Sequence, residues 1–549
     1  MKINHFAILL AVSSLTLTIN GQVSPKEKGL QSINQNVIKG QLEFLSSDWM
    51  EGRATGERGS FLAADYIASM LKVSGAAPAG DFQSGPRVRP ASPGGIQSAP
   101  PRPSQSYFQN FSLIESQPAG TSVLTLAKGG QEYKFRENVD FMISRASMEM
   151  SLTAPVVFVG YGIQDKTLGI DDYAGIDVKG KIVVRVTGFP GYNDITSPMY
   201  KKLVGDNQRS QYEIQRNKSE IPGKLGAAGV IDLTLNRDAA KSWGVYKFIY
   251  NMSPAESGTR ANWSSMRLDG KEISSSPVII TITERVSNLL IKEGGLDIAR
   301  YEKEAAAGNT KFKPVVLPGI SAGLVINVNS QRVRVRNVVA IIEGENMNEF
   351  IAVGAHMDHM GTDNGKIWNG ADDNASGTVA VMTLARAFAE SGVKPKRSIV
   401  FCAWTGEEKG LLGSEYFTLY PPAGKIGDYK FYMNFDMIAR DAANDTARNM
   451  AGITYTKAYP KLEEITKKAV EDYKINLKLN IRSNEAPTGG SDYTAFTANK
   501  IPVIAWMAAM HPDYHQPSDE VSMVNWDKMT EIIRLAYLQL WEAANGEIK

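Results

Sequence analysis

A chain of 549 residues is longer than one hydrophobic core sustains, so two or more domains are expected. Its 43% hydrophobic and 21% charged residues are those of an ordinary globular protein. With 60 basic residues against 58 acidic the net charge is +2, which excludes the basic footprint of a nucleic-acid binder or of a protein held on anionic membranes.

At the N-terminus, Lys2 precedes an apolar run from Phe6 to Leu17 and a polar stretch from Thr18 to Gln22. A basic start followed by an apolar run shorter than the ~20 residues of a membrane helix predicts a signal peptide over 1–22, cut near Gln22. The protein is therefore expected to be exported, periplasmic or secreted, with no membrane span in the mature chain. Helical periodicity follows at Val37–Leu45 and Phe61–Val73, separated by the polar loop S-S-D-W-M-E-G-R-A-T-G-E-R-G-S. Residues 75–105, dense in Pro, Gly and Ser, predict a loop.

Between about 115 and 320 strands and turns dominate: Ser122–Ala127, Pro155–Val159, Lys181–Val186, Gly229–Leu233 and Pro277–Ile282. Beyond 320, Leu324–Val328 and Val333–Ile342 suggest a hairpin. Apolar runs then alternate with amphipathic helices: strand Phe350–Ala355, helix Ala375–Ser391, strand Ser398–Trp404, helix Lys409–Leu419, strand Lys430–Phe435, helix Pro460–Tyr473, strand Ile501–Ala508 and helix Trp526–Ala544. That alternation predicts an α/β fold with a largely parallel mixed sheet flanked by helices, interrupted by a mainly β insert. The expected organisation is signal peptide 1–22, N-terminal part of the catalytic domain 23–115, insert 116–320 and catalytic domain 321–549. The one cysteine, Cys402, falls inside a strand, allows no intramolecular disulfide and is expected to be a small buried hydrophobe. An exported chain without disulfides suits a bacterial periplasm or medium.

Apart from His5, the histidines lie in two short windows, A-H-M-D-H-M-G and M-H-P-D-Y-H. Several apolar runs lead into metal-ligand residue types: His356 and Asp358, Glu407 and Glu408, Asp436, and His515, while Asp372 and Asp373 precede a helix. Ligands bind beyond the carboxyl ends of strands in open α/β sheets, so these side chains can share one crevice. Singly, each is commonplace: paired glutamates are usually a solvated helix start and paired aspartates a cap. Their ordered coincidence is not. In strand geometry Asp358, two residues after His356, is placed to hold the far ring nitrogen of that histidine, as carboxylates do for metal-bound imidazoles.

The ordered string H-x-D, G-A-D-D-N-A-S-G, T-G-E-E-x-G-L-x-G-S, N-F-D-M and Y-H-x-x-x-D resembles the co-catalytic zinc aminopeptidase family, which also includes glutamate carboxypeptidase, glutaminyl cyclase and the transferrin receptor ectodomain. The resemblance reaches L-E-F-L-S-S-D-W-M-E-G-R-A-T-G-E-R-G near the N-terminus. In the insert, V-V-F-V-G-Y-G-I and D-D-Y-A-G-I-D-V-K-G-K-I-V-V-R look like a protease-associated domain.

The resemblance implies two zinc ions: His356 and Asp436 on one, Glu408 and His515 on the other, and Asp373 bridging. Asp373 is preferred to Asp372 because it stands three residues before the Ser of N-A-S-G. Glu407 takes the general-base place, Asp358 joins it in the catalytic set, and Asp519 matches a supporting carboxylate. The implied activity is aminopeptidase hydrolysis of peptide substrates by a metal-bridged hydroxide. The alternatives are a carboxypeptidase of the same family, which would need a basic pocket drawn from residues such as Arg440 and Arg482, a glutaminyl cyclase, which would use one zinc and lacks the protease-associated insert, and a non-catalytic receptor-like ectodomain. Tyr493 stands where relatives often carry histidine in S-D-H. His359 and His511 fall outside the ligand pattern and are read as structural.

Overall fold

The computed structural model describes residues 23–83, 104–145, 149–204, 209–235, 264–271, 277–309, 312–363, 365–487 and 490–548. The expected signal peptide lies outside the described residues, as do residues 84–103 of the Pro-rich stretch. Among the described residues no helix is long and apolar enough to cross a membrane.

Two mixed sheets organise the chain. The larger has ten strands, running Ser265–Leu268, Phe108–Pro118, Val328–Ile342, Arg397–Trp404, Asn346–His356, Tyr429–Phe435, Val503–Met507, Met450–Thr456 and Lys478–Asn484, with Ala77–Pro78 against Val328–Ile342. Its centre, from Arg397–Trp404 to Val503–Met507, is parallel. These strands read as unbroken apolar runs because helices cover both faces. In Arg397–Trp404 the alternation is visible. Ile399, Phe401 and Ala403 join the core built on helices Gly377–Ser391 and Trp526–Asn545, while Val400, Cys402 and Trp404 face Phe417 and Phe496. Cys402 is fully buried there, as expected of a small hydrophobe, and burial pushes its thiol well up.

The second sheet has eight strands, ordered Gln131–Arg136, Val123–Lys128, Val315–Ile326, Met150–Phe158, Ile182–Val186, Gly229–Leu233, Val278–Ile282 and Phe141–Arg145. Its centre is parallel as well, from Met150–Phe158 to Val278–Ile282. The α/β class with a mixed, centrally parallel sheet is thus as expected, but the expected hairpin at 324–342 does not form. Val315–Ile326 belongs to the eight-stranded sheet and Val328–Ile342 to the ten-stranded one, so the chain changes sheets at Asn327. Two adjacent apolar runs look like a hairpin in sequence, yet each finds its partners elsewhere. Traffic runs the other way too: Ser265–Leu268, which lies in the chain between two strands of the eight-stranded sheet, pairs with Phe108–Pro118 at the edge of the large sheet.

Candidate active site

The parallel centre of the large sheet positions the site. His356 closes its strand in register with Trp404, after which the neighbouring chain continues through Thr405 and Gly406 to Glu407 and Glu408. Asp436 follows directly on Tyr429–Phe435, its N–H donating to the Trp506 carbonyl at 3.1 Å. Adjacent strands running the same way bring these side chains to one edge. Asp373 enters from the turn Ala371–Ser376 ahead of helix Gly377–Ser391, with a cis peptide to Asn374. His515 arrives on a turn, at a left-handed φ of 54°.

The convergence is tight. Asp373 Oδ1 lies 3.4 Å from His356 Nε2, and Asp373 Oδ2 lies 3.1 Å from His515 Nε2. Asp436 Oδ1 is 3.5 Å from His356 Nε2, and Glu408 Oε2 is 3.1 Å from His515 Nε2. Asp373 therefore stands between two imidazoles, one oxygen toward each, and each imidazole has a further acid beside it. Glu407 sits at the His356 side, its Oε2 3.9 Å from Nε2. Burial opposes charge on His515, but Glu408 and Asp373 outweigh it and raise its pKa to about 10. The same balance, with Glu407, Asp436 and Asp373 as partners, holds His356 well above its usual value.

The adjacent glutamates behave oppositely. Burial pushes the Glu407 carboxyl well up, and repulsion from Glu408, Asp436 and Asp492 adds to it. Burial also acts on Glu408, but His515 and His359 outweigh it and hold that carboxyl well below the usual range. Environments that drive neighbouring carboxyls apart in this way separate a proton-transferring group from a permanently charged one.

A surrounding shell fixes the turn that carries Asp373. Asp519 accepts from the Asp372 N–H at 3.1 Å and the Asp373 N–H at 3.0 Å, so this expected supporting acid acts through the main chain. Asp372 turns away from the centre: its Oδ1 accepts from the Ala439 N–H at 2.6 Å and its Oδ2 faces His511 Nε2 at 3.2 Å. Arg440 is buried and pairs with Asp513 and, at 3.6 Å, with Asp519.

One sequence expectation is corrected here. Asp358 does not hold the His356 ring through its carboxylate; Nδ1 lies 3.1 Å from the Asp358 main-chain oxygen. The carboxylate instead accepts from Thr55 Oγ1 at 2.6 Å and from the Glu407 N–H at 3.2 Å, because the chain leaves strand geometry after His356 and no longer alternates. His359, outside the ligand pattern, lies beside the centre. Its ring is buried with Nδ1 2.8 Å from Glu408 Oε1. Tyr493, by contrast, packs into the apolar cluster with Trp404 and Phe496.

Arg53 and Asp492 were assigned no role from sequence. Arg53 is buried in the polar N-terminal loop and donates to the carbonyls of Met357 at 2.8 Å, Asn369 at 2.6 Å and Gly370 at 3.0 Å, tying the His356 loop to the Asp373 turn. Burial draws its pKa down to about 10. Asp492 is fully buried near His356 and Asp436, and burial pushes its carboxyl up to about 7. A charged pair of residue types in G-R-A-T-G and G-G-S-D-Y was the available signal, but nothing local indicates which distant loops they meet.

Residues 337–539 match Peptidase family M28. Over 198 residues the chain is 31% identical to a probable leucine aminopeptidase 2 of Aspergillus oryzae, covering 36% of this chain and 38% of that protein. Over 170 residues it is 32% identical to leucine aminopeptidase 2 of Trichophyton rubrum, covering 30% of this chain and 32% of that one. The matches thus span about a third of the length of these relatives. Among solved structures, an aminopeptidase from Aneurinibacillus sp. strain AM-1 superposes with a TM-score of 0.55 at 18% identity over 95% of this chain and 97% of that one. A Peptidase M28 precursor from Shewanella amazonensis gives 0.50 at 14% identity, with the same coverage. The fold over nearly the whole chain is that of these peptidase structures.

Proposed function

We propose that the protein is an exported zinc aminopeptidase that removes N-terminal residues from peptides, with two zinc ions per chain. One observation carries this reading: the Asp373 carboxylate stands between His356 and His515, one oxygen toward each, with Asp436 and Glu408 completing the two sides. The donor set fits the metal. Imidazole nitrogen and carboxylate oxygen are zinc ligands at ~2.0–2.2 Å, which places tetrahedral neighbours roughly 3.3–3.5 Å apart. The separations at His356, 3.4 and 3.5 Å, are of that size, and those at His515, both 3.1 Å, are slightly shorter.

His356, Asp436 and Asp373 would hold one ion and Glu408, His515 and Asp373 the other. Zinc held there would supply Lewis acidity, making a water a better acid and polarising the scissile carbonyl. Glu407, with its main-chain N–H fixed on Asp358, accepts the proton of the attacking water and returns it to the leaving amine. A carboxyl with a raised pKa suits both halves of that exchange.

Restriction to the peptide's amino end is supported by the relatives, which are named leucine aminopeptidases. The carboxypeptidase reading loses its basic pocket: Arg440 is taken up by Asp513 and Asp519, and Arg482 is exposed on the edge strand Lys478–Asn484. The insert supplies none of the proposed ligands and shapes access to the site. Supporting this, Ser264 Oγ lies 3.2 Å from Lys409 Nζ, one residue beyond Glu408. Amino-acid amides and dipeptides with free and acetylated N-termini test the proposal. Free N-termini should be cleaved and acetylated ones spared; equal cleavage of both overturns the aminopeptidase assignment. Recovery of mature chain beginning near residue 23 from the periplasm or medium tests export.

A further inference from the structure

His359 lies outside the set of donors just proposed, yet it is among the most buried side chains of the site, at 1% exposure. Its backbone is fixed, the N–H donating to the Arg53 carbonyl at 3.2 Å beside a bridge to Ala54. The ring is walled by Gly370, where a Cβ would fall 2.4 Å from the His359 Cδ2, so the glycine of N-G-A-D-D-N makes the space the imidazole fills. Nδ1 is 2.8 Å from Glu408 Oε1 and 3.8 Å from Asp373 Oδ2. His515 approaches the same carboxylate from its other oxygen, Nε2 lying 3.1 Å from Glu408 Oε2. The two rings are 5.8 Å apart, tilted by 66°.

We propose that His359 is a positioning residue: its Nδ1–H donates to Glu408 Oε1, so that Glu408 presents Oε2 alone to the metal position it shares with Asp373 and His515. This rests on the two-zinc reading above. The separations discriminate between a hydrogen bond and direct ligation. Co-ligands of one tetrahedral ion stand roughly 3.3 Å apart, whereas a charge-assisted N–H···O bond measures ~2.7–2.9 Å. The 2.8 Å contact is the second kind, and the 3.8 Å to Asp373 is too long for an equal partner. An ionised carboxylate can only accept, which places the proton on Nδ1. A carboxylate pinned by one oxygen cannot swing to chelate through both, which sets the geometry at that ion and leaves the His356 side untouched.

Asparagine and glutamine separate this role from mere filling. The asparagine amide nitrogen falls where Nδ1 is, and that of glutamine falls where Nε2 is. Zinc affinities of the wild type, His359→Asn, His359→Gln and His359→Ala are measured by titration against a competing chelator, with thermal melts to establish folding. The expected result is two zinc ions in the wild type and a ~10–100-fold weakening at one of them in His359→Ala and His359→Gln, the usual scale for losing a ligand's outer partner. His359→Asn should recover most of the loss. Should the alanine variant not fold, the asparagine–glutamine contrast decides alone. In the cobalt-substituted wild type, exchangeable hyperfine-shifted imidazole N–H signals should number two, from His356 and His515. A third such signal makes His359 a ligand and overturns the proposal, as do equal zinc affinities across folded variants. A wild-type chain without zinc overturns the two-zinc reading and this one together.

Discussion

The two sheets make the same use of topology and opposite use of charge. Each has a parallel centre, and each sets charged side chains at the carboxyl ends of its parallel strands. In the eight-stranded sheet Arg185 and Asp232 are register partners on neighbouring strands. Arg185 Nε donates to Asp232 Oδ1 at 2.5 Å and Nη2 to Oδ2 at 3.2 Å, while Nη1 takes the Lys218 carbonyl. Lys218 Nζ is itself used up, on the carbonyls of Val186, at 2.9 Å, and Gly188. Arg185 and Asp232 thus answer each other within the fold. At the ten-stranded sheet Asp373, Glu407, Glu408 and Asp436 crowd together with Asp358 and Asp492 close by, while Arg440 is committed to Asp513 and Asp519 and Arg53 to main-chain carbonyls. Burying like charges is costly unless a counter-ion completes the set. The lesson is that strand ends alone do not mark a site; a surplus of buried acids over the cations beside them does.

The largest test of that contrast is metal removal. A chelator should abolish peptide hydrolysis and added zinc restore it, whereas the unfolding of the insert should not respond to zinc. Activity undiminished in metal-free protein would leave the acidic cluster without its counter-ion and break the comparison.

Next in size is the division of labour between the glutamates. Glu407→Gln keeps volume and hydrogen bonding but accepts no proton, so turnover should fall by at least ~10²-fold with two zinc ions retained. Glu408→Ala should lose zinc and activity together. If Glu407→Gln loses the metal and Glu408→Ala keeps it, the two roles are interchanged.

How much of this was legible in sequence follows from which contacts are local. Strand ends carrying His356, Glu407, Glu408 and Asp436 could be read because unbroken apolar runs announce buried parallel strands and the next residues must face the crevice. The helices at 35–45, 58–73, 377–391 and 526–545 declared themselves by periodicity. Strands Met450–Thr456, one in from the edge, and Lys478–Asn484, at the edge, did not, since their half-exposed alternation is weak beside the loops around them. The false hairpin at 324–342 failed for a different reason: pairing is a tertiary choice. The Asp358 error shows the limit of strand alternation, which ends where the strand ends. His359 and Arg53 were invisible in their roles because each acts on a partner 49 residues or more away.

A third prediction attacks the insert's side of the contrast. Arg185→Met would leave Asp232, 5% exposed, buried without its cation. Breaking such a pair from one side destabilises by about 3–5 kcal/mol. Urea unfolding should register that loss while the folded protein keeps its zinc content and kcat/KM. A fall in either at full folding would mean that the insert's charges serve the site.

The smallest effect expected is a gain, and its sign depends on pH. Asp172, in the insert near Lys218, accepts from the Ile163 N–H at 2.9 Å, and burial pushes its carboxyl up to about 6 from an ordinary value of 3.8. An acid with a raised pKa in the folded protein costs nothing below pH ~4, where both folded and unfolded chains are protonated. The cost grows as pH climbs from about 4 to 6, while the unfolded chain alone ionises, and is complete above that. The shift from 3.8 to about 6 would be worth on the order of 3 kcal/mol at ~1.4 per unit. Asp172→Asn retains an oxygen for the Ile163 N–H and cannot ionise. It should therefore match the wild type near pH 3 and exceed it in Tm at pH 7.5, with zinc binding unaltered at pH 7.5. A variant less stable than the wild type at pH 7.5 would show that the Asp172 charge is needed by Lys218, and that the insert's charges are more finely balanced than the contrast with the acidic cluster supposes.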